Sequence, residues 1–418
     1  MIVPSSYGAL SATSANTIQG RAPVIQSNRL GFKVNGASYS QAIGNIDPSV
    51  AKAFDAGLSF SHFKIMDLTS ADYYDADGDV AHSTTPFTTG TKSIKWYDSN
   101  DTEITDMTKT LGCGNNYSLP LKLRIEIQGV EVHSKYGDPR DSSPTTLTKE
   151  YLISTASGIC YVKPGSLQWW DSNGGYTSSL RDPTTGGGYT SDFDPNKGFK
   201  AQPTESRDKF PTTGFPYARF QIIMSGSPTD YNYTVTSHPL SVVKIDKNGW
   251  VTLKTKPTDA VTVRATSKAS SSIYFDYTFN PTKLWLVPKL NSPSASAGYG
   301  WYTDEEAKTV CGDESKMPTR AQLTNSPQST VLPANLVDPN YFTRAIGKLV
   351  IGGNVVNESI LGEWGNVYDN ANLYPSSKWS GTAYWTSESY SSVYQFRVKL
   401  NTGSVGYFSG KSWVACLG

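Results

Sequence analysis

Short runs in which apolar and polar residues alternate recur along much of this chain, each cut off by Gly, Pro, Asn or Asp. YNYTVTS, VVKID, GWVTLKT, AVTVRATS and IYFDYTFN follow one another between Tyr231 and Asn280. Successive side chains of a strand point to opposite faces, so a two-residue period gives each run one core face and one solvent face. Evenly spaced strands of this kind specify a β-sandwich. Upstream, LGFKVNG, GLSFSHFKIMDL, SIKWYD, LPLKLRIEIQGVEVHS and GICYVKP read as strands too. In that region only DPSVAKAF, residues 47–54, has helical character. The chain is predicted to be mainly β.

A length of 418 residues exceeds what one hydrophobic core organises, so several domains are expected. Lys and Arg number 37 against 36 Asp and Glu, and no long run of one sign occurs, which argues against nucleic acid or anionic lipid as a partner. Charged residues make up 17% and aromatics 12%, led by 25 Tyr, a profile that suits extracellular β modules. No stretch approaches the roughly 20 apolar residues that span a bilayer. MIVPSSYGAL lacks the basic region and apolar core of a signal peptide, so an exported protein containing this chain is expected to start upstream of it.

The four cysteines, Cys113, Cys160, Cys311 and Cys416, form no C-x-x-C pair and have no His at zinc-ligand spacing. Three pairings exist. Two cysteines fall in the first half and two in the last third, so the natural choice is Cys113 with Cys160 and Cys311 with Cys416; the alternative is four buried thiols in a reducing compartment. Residues 1–25 are rich in Ser, Ala and Thr without periodicity and read as a linker. A Gly-, Thr- and Pro-rich excursion runs from Asp171 to Pro216, and loops of that length are usually functional or pinned to a surface.

After a junction at Pro288–Gly300 the pattern changes. Thr303 with Glu306 and Thr319 with Gln322 have the spacing of capping boxes and predict two short helices. Ala307, Val310 and Cys311 fall on one face of the first, so Cys311 is expected to point inward. GTAYWTSE, SVYQFRVKL and SVGYFSG then read as strands, with Tyr394, Phe396, Val398 and Leu400 on one face and Trp385 in the core. Cys416, in the closing SWVACLG, ties the last strand to the first helix.

These residues carry resemblances. VVKIDKNGWVTLKT resembles the bacterial Ig-like type 2 module, over about 60 residues. DEEAKTVC, MPTRAQL in place of the family's LPTRAEL, AYWTSE, VYQFRVKLNTGSVG and WVACL, in that order, resemble the C-type lectin-like domain at the tip of the intimin and invasin adhesins. GGGYTSDFDPNKGFK followed by KFPTTGFPYARFQI resembles an adhesion module of large enterobacterial surface proteins of the inverse-autotransporter type. The implied organisation is a linker at 1–25, a β-rich adhesion domain at 26–226, an Ig-like β-sandwich at 227–288 and an α+β C-type lectin-like domain at 289–418. The Glu-Pro-Asn, Gln-Pro-Asp and Trp-Asn-Asp motifs of animal lectins are absent, which speaks against calcium-dependent sugar binding.

His62, His82, His133 and His238 are scattered, with no H-E-x-x-H and no G-x-S-x-G, so an enzyme is not expected. GYFSGKS has three residues between its glycines where a phosphate-binding loop needs four, and reads as a hairpin turn. Asp75, Asp77 and Asp79 stand two apart as in a calcium loop, but Gly78 takes the fourth position and Pro86 the twelfth, which excludes an EF-hand. What remains is an irregular calcium site or an acidic turn; no other cofactor is expected.

The resemblance implies a rod of β-rich modules, a monomer exposed on the bacterial surface. An N-terminal outer-membrane β-barrel, absent from this chain, would anchor it, and its lectin-like tip would bind a host-cell receptor. Aromatic and Arg side chains anchor such interfaces, which makes Trp364, Tyr368, Trp379, Tyr390 and Arg397 the receptor-binding candidates. The competing readings are a structural spacer and a carbohydrate-binding protein, the latter favoured by the Trp169–Trp170 pair.

Overall fold

The computed structural model describes residues 20–113, 117–155, 158–167, 186–290, 301–330, 341–351, 354–368 and 373–418; Trp169, Trp170 and most of the expected linker lie outside them. The chain divides into two compact units, residues 1–111 with 117–155, and residues 112–116 with 156–418.

The first unit is organised by the longest alternating run. Leu121–Val132 buries Leu121, Leu123, Ile125, Ile127, Val130 and Val132, pairs antiparallel with Thr145–Thr155 on one side and with Lys92–Tyr97 on the other. At Gln128–Gly129 the register shifts, and Gly129 takes a φ of 61°, so alternation resumes on the same face beyond the bulge. Phe32, Phe60, Phe63, Trp96 and Tyr151 fill the core below it. DPSVAKAF is not helical. Lys52–Phe54 instead adds a parallel strand to Thr145–Thr155, and the Asp47 carboxylate holds Ser49 in a turn before it. The window is too short for a self-supporting helix, and strand pairing satisfies its backbone instead.

In the second unit, Phe193–Asp194, Gly198–Lys200, Ile159–Pro164, Ala218–Met224, Trp250–Leu253 and Val243–Ile245 form one six-stranded sheet in that order. A three-stranded sheet of Tyr231–Val235, Val261–Ser267 and Tyr274–Phe279 packs on it, with the Phe220 and Phe279 rings 5.1 Å apart. The division expected at 226/227 therefore runs through a hydrogen-bonded sheet. Ala218–Met224, between the Ile159–Pro164 and Trp250–Leu253 strands, supplies Phe220, Ile222 and Met224 to the sandwich core. The division between units falls at Thr155/Ala156, inside the segment expected as one adhesion domain. The boundary was expected where evenly spaced short strands begin, yet the strand before it already belongs to the sandwich.

Leu284–Pro288 leaves the sandwich, pairing parallel with Thr213–Gly214 and antiparallel with the closing strand Ala415–Leu417. Beyond it lie α1 (Asp304–Cys311), α2 (Arg320–Leu323) and α3 (Ile360–Trp364), and an antiparallel sheet of Ala383–Ser389, Gln395–Lys399 and Val405–Phe408. Both capping boxes are formed: Thr303 Oγ accepts from Glu306 N, and Thr319 Oγ from Gln322 N, each at 3.2 Å. Cys311, at the end of α1, is bonded to Cys416 in the last strand, and Cys113 to Cys160. Trp385 is 1% exposed, and its indole donates to Tyr302 O at 2.8 Å. No helix among the described residues is long and apolar enough to cross a membrane, which leaves a β-barrel unaddressed.

Sandwich and C-terminal module share one core. Phe210 packs on Phe199 at 4.9 Å and on Trp364 at 4.9 Å; Phe215 then touches Trp364, Tyr374 and Trp379, and Trp379 touches Tyr384. The described end of the Gly-rich excursion is pinned to this module, Gly186 and Tyr189 bridging Tyr341 and Arg344. A Cβ on Gly186 would sit 2.0 Å from Tyr341 O, so only glycine permits that approach.

Candidate functional site

Of the five receptor-binding candidates, two are core and a third packs against it. Trp364 is fully buried, its indole donating to Thr213 O at 3.2 Å and to Thr213 Oγ1 at 3.1 Å. Trp379 is 3% exposed and lies 4.9 Å from Tyr384, and Tyr368 is half-buried against the same cluster. The packing that joins sandwich to module consumes the two indoles, which corrects the expectation that they are presented to a partner. Tyr390 is exposed and Arg397 half-buried, and the structure brings both to the sheet of Ala383–Ser389, Gln395–Lys399 and Val405–Phe408.

Register decides what each face of that sheet shows. Phe396 is opposite Tyr407, and Val398 opposite both Tyr384 and Val405, so these share a face. At its rim Tyr390 stacks on Tyr407 with centroids 4.1 Å apart and planes 4° off parallel, and Tyr394 meets Tyr407 edge-on at 5.4 Å. Tyr390, Tyr394 and Tyr407 are 40%, 40% and 38% exposed. Tyr394 thus leaves the buried stripe of Phe396, Val398 and Leu400, because the chain is already turning at Ser391–Tyr394. On the opposite face Arg397 is paired with Trp385 and Gly406, and Gln395 with Phe408. The Arg397 guanidinium lies over the Phe408 ring at 4.1 Å, and desolvation there pulls its pKa below the ordinary arginine value.

Phe408 separates two clefts. One, of about 410 Å³, is walled by Trp301, Arg397, Phe408, Lys411 and Trp413. The other, about 310 Å³, is polar and includes Asp304, Glu305, Lys308 and Gln395. Sequence reasoning missed Trp301, Tyr407, Phe408 and Trp413 as surface groups. A signal existed: Tyr407 and Phe408 are adjacent in one strand, so they cannot both face the same core.

Asp75, Asp77 and Asp79 do not converge on a cation. Asp75 Oδ1 accepts Asp77 N at 2.8 Å, Asp75 Oδ2 accepts the Tyr73 hydroxyl, and Asp77 Oδ2 accepts Arg21 N. Among the described residues no cluster of three His, Cys, Asp or Glu is arranged to hold a metal.

The most perturbed carboxyl is buried in the joint. Glu363 of α3 is fully buried, accepting from Thr212 N, Thr213 N, Thr213 Oγ1 and Gly347 N, while the Thr212 hydroxyl contacts both Glu363 and Glu358. Burial raises its pKa from 4.5 to about 7, against the lowering effect of the Thr212 and Thr213 donors and with a further rise from Glu358.

Residues 191–279 match the family described as Invasin, domain 4. The chain carries an invasin-type domain. The match starts just before the Phe193–Asp194 strand and ends on Phe279, the last residue of the three-stranded sheet, so the invasin-type domain includes the Ala218–Met224 strand. The structure is similar to that of invasin, a bacterial integrin-binding protein, with a TM-score of 0.39 and 15% identity over 94% of this chain and 60% of that one. This chain therefore spans 60% of the invasin chain it matches. An intimin mutant of EHEC O157:H7 gives a TM-score of 0.32 and 16% identity over 54% of this chain and 93% of that one. The C-terminal 282-residue fragment of intimin, in complex with the intimin-binding domain of the translocated intimin receptor, gives 0.34 and 15% over 79% and 86%. No curated protein sequence matches the chain.

Proposed function

We propose that this chain is the extracellular part of a bacterial outer-membrane adhesin of the invasin and intimin type, which attaches to host cells through a lectin-like module at residues 289–418. The observation that carries this reading is the invasin domain 4 match at 191–279. That domain is continuous in its core with the C-terminal module, which supports reading the two as one working part. The module's outer sheet displays Tyr390, Tyr394 and Tyr407, and large rings with polar tips are the side chains that protein interfaces favour. The partner in this reading is a host-cell surface receptor, and the protein works as a monomer without a cofactor.

The test is adhesion of the purified chain to cultured host cells. Tyr390→Ala with Tyr407→Ala removes an exposed stacked pair and is expected to weaken binding roughly ten-fold or more. Tyr136→Ala, at a ring 61% exposed in the first unit, is expected to leave it unchanged. Absence of binding by the wild-type chain would sink the reading, and binding lost only with Tyr136→Ala would move it to the first unit.

A further inference from the structure

Arg397 stands apart from the other arginines of the C-terminal module. Arg320 is paired with Glu388, and Arg344 donates to three backbone carbonyls. Arg397 is half-buried, and among the described residues its guanidinium has neither a carboxylate nor a carbonyl partner. Among the described residues the guanidinium's one partner is the face of Phe408. A cation–π contact leaves the in-plane N–H groups of a guanidinium unsatisfied, and a guanidinium presents them as a fork that matches a carboxylate.

The surroundings fit that donor set. The cleft beside Arg397 holds about 410 Å³ and has aromatic walls in Trp301, Phe408 and Trp413, with Lys411 as a second cation. Among the described residues no Asp or Glu lines it, whereas the neighbouring cleft across Phe408 is lined by Asp304 and Glu305. Trp301 is 51% exposed and Phe408 37%, so the aromatic walls offer apolar area to an incoming group.

We propose that this cleft is a receptor subsite for an acidic side chain of a protein partner, an Asp or Glu flanked by aromatic or aliphatic residues. The carboxylate pairs with the Arg397 fork, while its neighbours pack on Trp301 and Trp413. The inference rests on the adhesin reading for its biological partner, but the chemistry of the cleft is tested separately.

The probes are the blocked tripeptides acetyl-Tyr-Glu-Tyr-amide and acetyl-Tyr-Gln-Tyr-amide and free N-acetylneuraminic acid, titrated into the full chain with the Trp indole N–H resonances as readout. The Glu peptide is expected to shift the Trp301 and Trp413 signals, and the Gln peptide to bind roughly ten-fold more weakly. Arg397→Met should abolish the Glu preference. Arg397→Lys, which keeps the charge but not the fork, should retain part of it, and both variants should keep the dispersed spectrum of a folded chain. Equal binding of the Glu and Gln peptides, no shift with either, or shifts with N-acetylneuraminic acid alone would each overturn the proposal. Host-cell adhesion separates the two readings: a wild-type chain that adheres and an Arg397→Met chain that adheres equally well would refute the subsite and leave the adhesin intact. A wild-type chain that binds the Glu peptide but no cell would do the reverse.

Discussion

In the sandwich, the inward residues Phe220, Ile222, Met224, Val251, Leu253, Val261, Val263 and Ala265 are all apolar and all buried; the C-terminal module buries Arg344 and Glu363 completely and Arg320 to 5% exposure. The difference follows from backbone accounting. A strand ladder satisfies its own amides and carbonyls, so its side chains can be purely apolar. The module is built largely of irregular chain, whose buried carbonyls and amides need partners from elsewhere. Arg344 donates to Gly362 O, Ser166 O and Glu363 O at 3.2, 2.8 and 2.8 Å, and Glu363 accepts the amides of Thr212, Thr213 and Gly347. Ionisable side chains here supply the partners that strand ladders supply in the sandwich.

Removing one staple should therefore do more damage than an equivalent cut in the sandwich core. Arg344→Ala removes the guanidinium donors of Ser166 O and Glu363 O and one of the two donors of Gly362 O, which keeps the Ala345 amide, and it strips the contact with Phe193, 4.3 Å from the guanidinium. A loss of about 3 to 5 kcal/mol is expected. Val263→Ala, which removes only buried methyl groups, should cost about 2 kcal/mol. Urea unfolding of the two variants decides: an Arg344→Ala loss no larger than that of Val263→Ala would show that the polar network adds nothing beyond packing.

The bridge between α1 and the closing strand is the second reinforcement of the irregular module. It closes a sequence separation of 105 residues, and loops of that size give up to about 4.7 kcal/mol in chain-entropy treatments, with real bridges nearer 3. The double variant Cys311→Ala, Cys416→Ala leaves Cys113–Cys160 intact and is expected to lose about 3 kcal/mol in the same measurement. A midpoint unchanged from wild type would mean that buried charges and aromatic packing alone hold the module closed.

The same contrast explains what the sequence revealed. Alternation exposed the sandwich strands, and the Thr303/Glu306 and Thr319/Gln322 boxes located α1 and α2, because those signals are local. The 226/227 division failed because strand order in a sheet is not local: Ala218–Met224 joins the sandwich through partners at 159–164 and 250–253. Trp364 and Trp379 were chosen as surface anchors for their residue type alone. Their burial depends on Thr213 and Phe215, over 140 residues upstream in the chain. Arg344 and Glu363 carried no pattern at all, since a buried charge looks like a surface charge until its partners are placed.

Glu363 gives the smallest and most selective test of the comparison, because its effect depends on pH. Its carboxyl faces Thr212, Thr213 and Gly347 N, with Glu358 across the Thr212 hydroxyl; Tyr277, whose own pKa it helps to raise, and Lys283, bound to Asp208 at 2.6 Å, are the other titratable groups that sense its charge. In the folded chain it titrates at about 7, against an ordinary 4.5. Between those values the folded state holds a proton that the unfolded state has released. Stability from this group is thus complete below about pH 4.5, falls as pH rises toward 7, and is level above it. From pH 5 to 7 the expected fall is about 2 kcal/mol. The Asp groups whose pKa is depressed, such as Asp192 and Asp276, change stability at lower pH, whereas burial raises Asp230 in the same direction as Glu363, so the Glu363 part is read as the difference from Glu363→Gln. Glu363→Gln cannot ionise, so urea unfolding of that variant should lack this fall of about 2 kcal/mol over the same interval, whatever its absolute stability. A wild-type chain with the same profile as the variant from pH 5 to 7 would mean that the Thr212 and Thr213 donors outweigh burial and hold the carboxylate ionised, making it a counterpart of Arg344 rather than a buried acid.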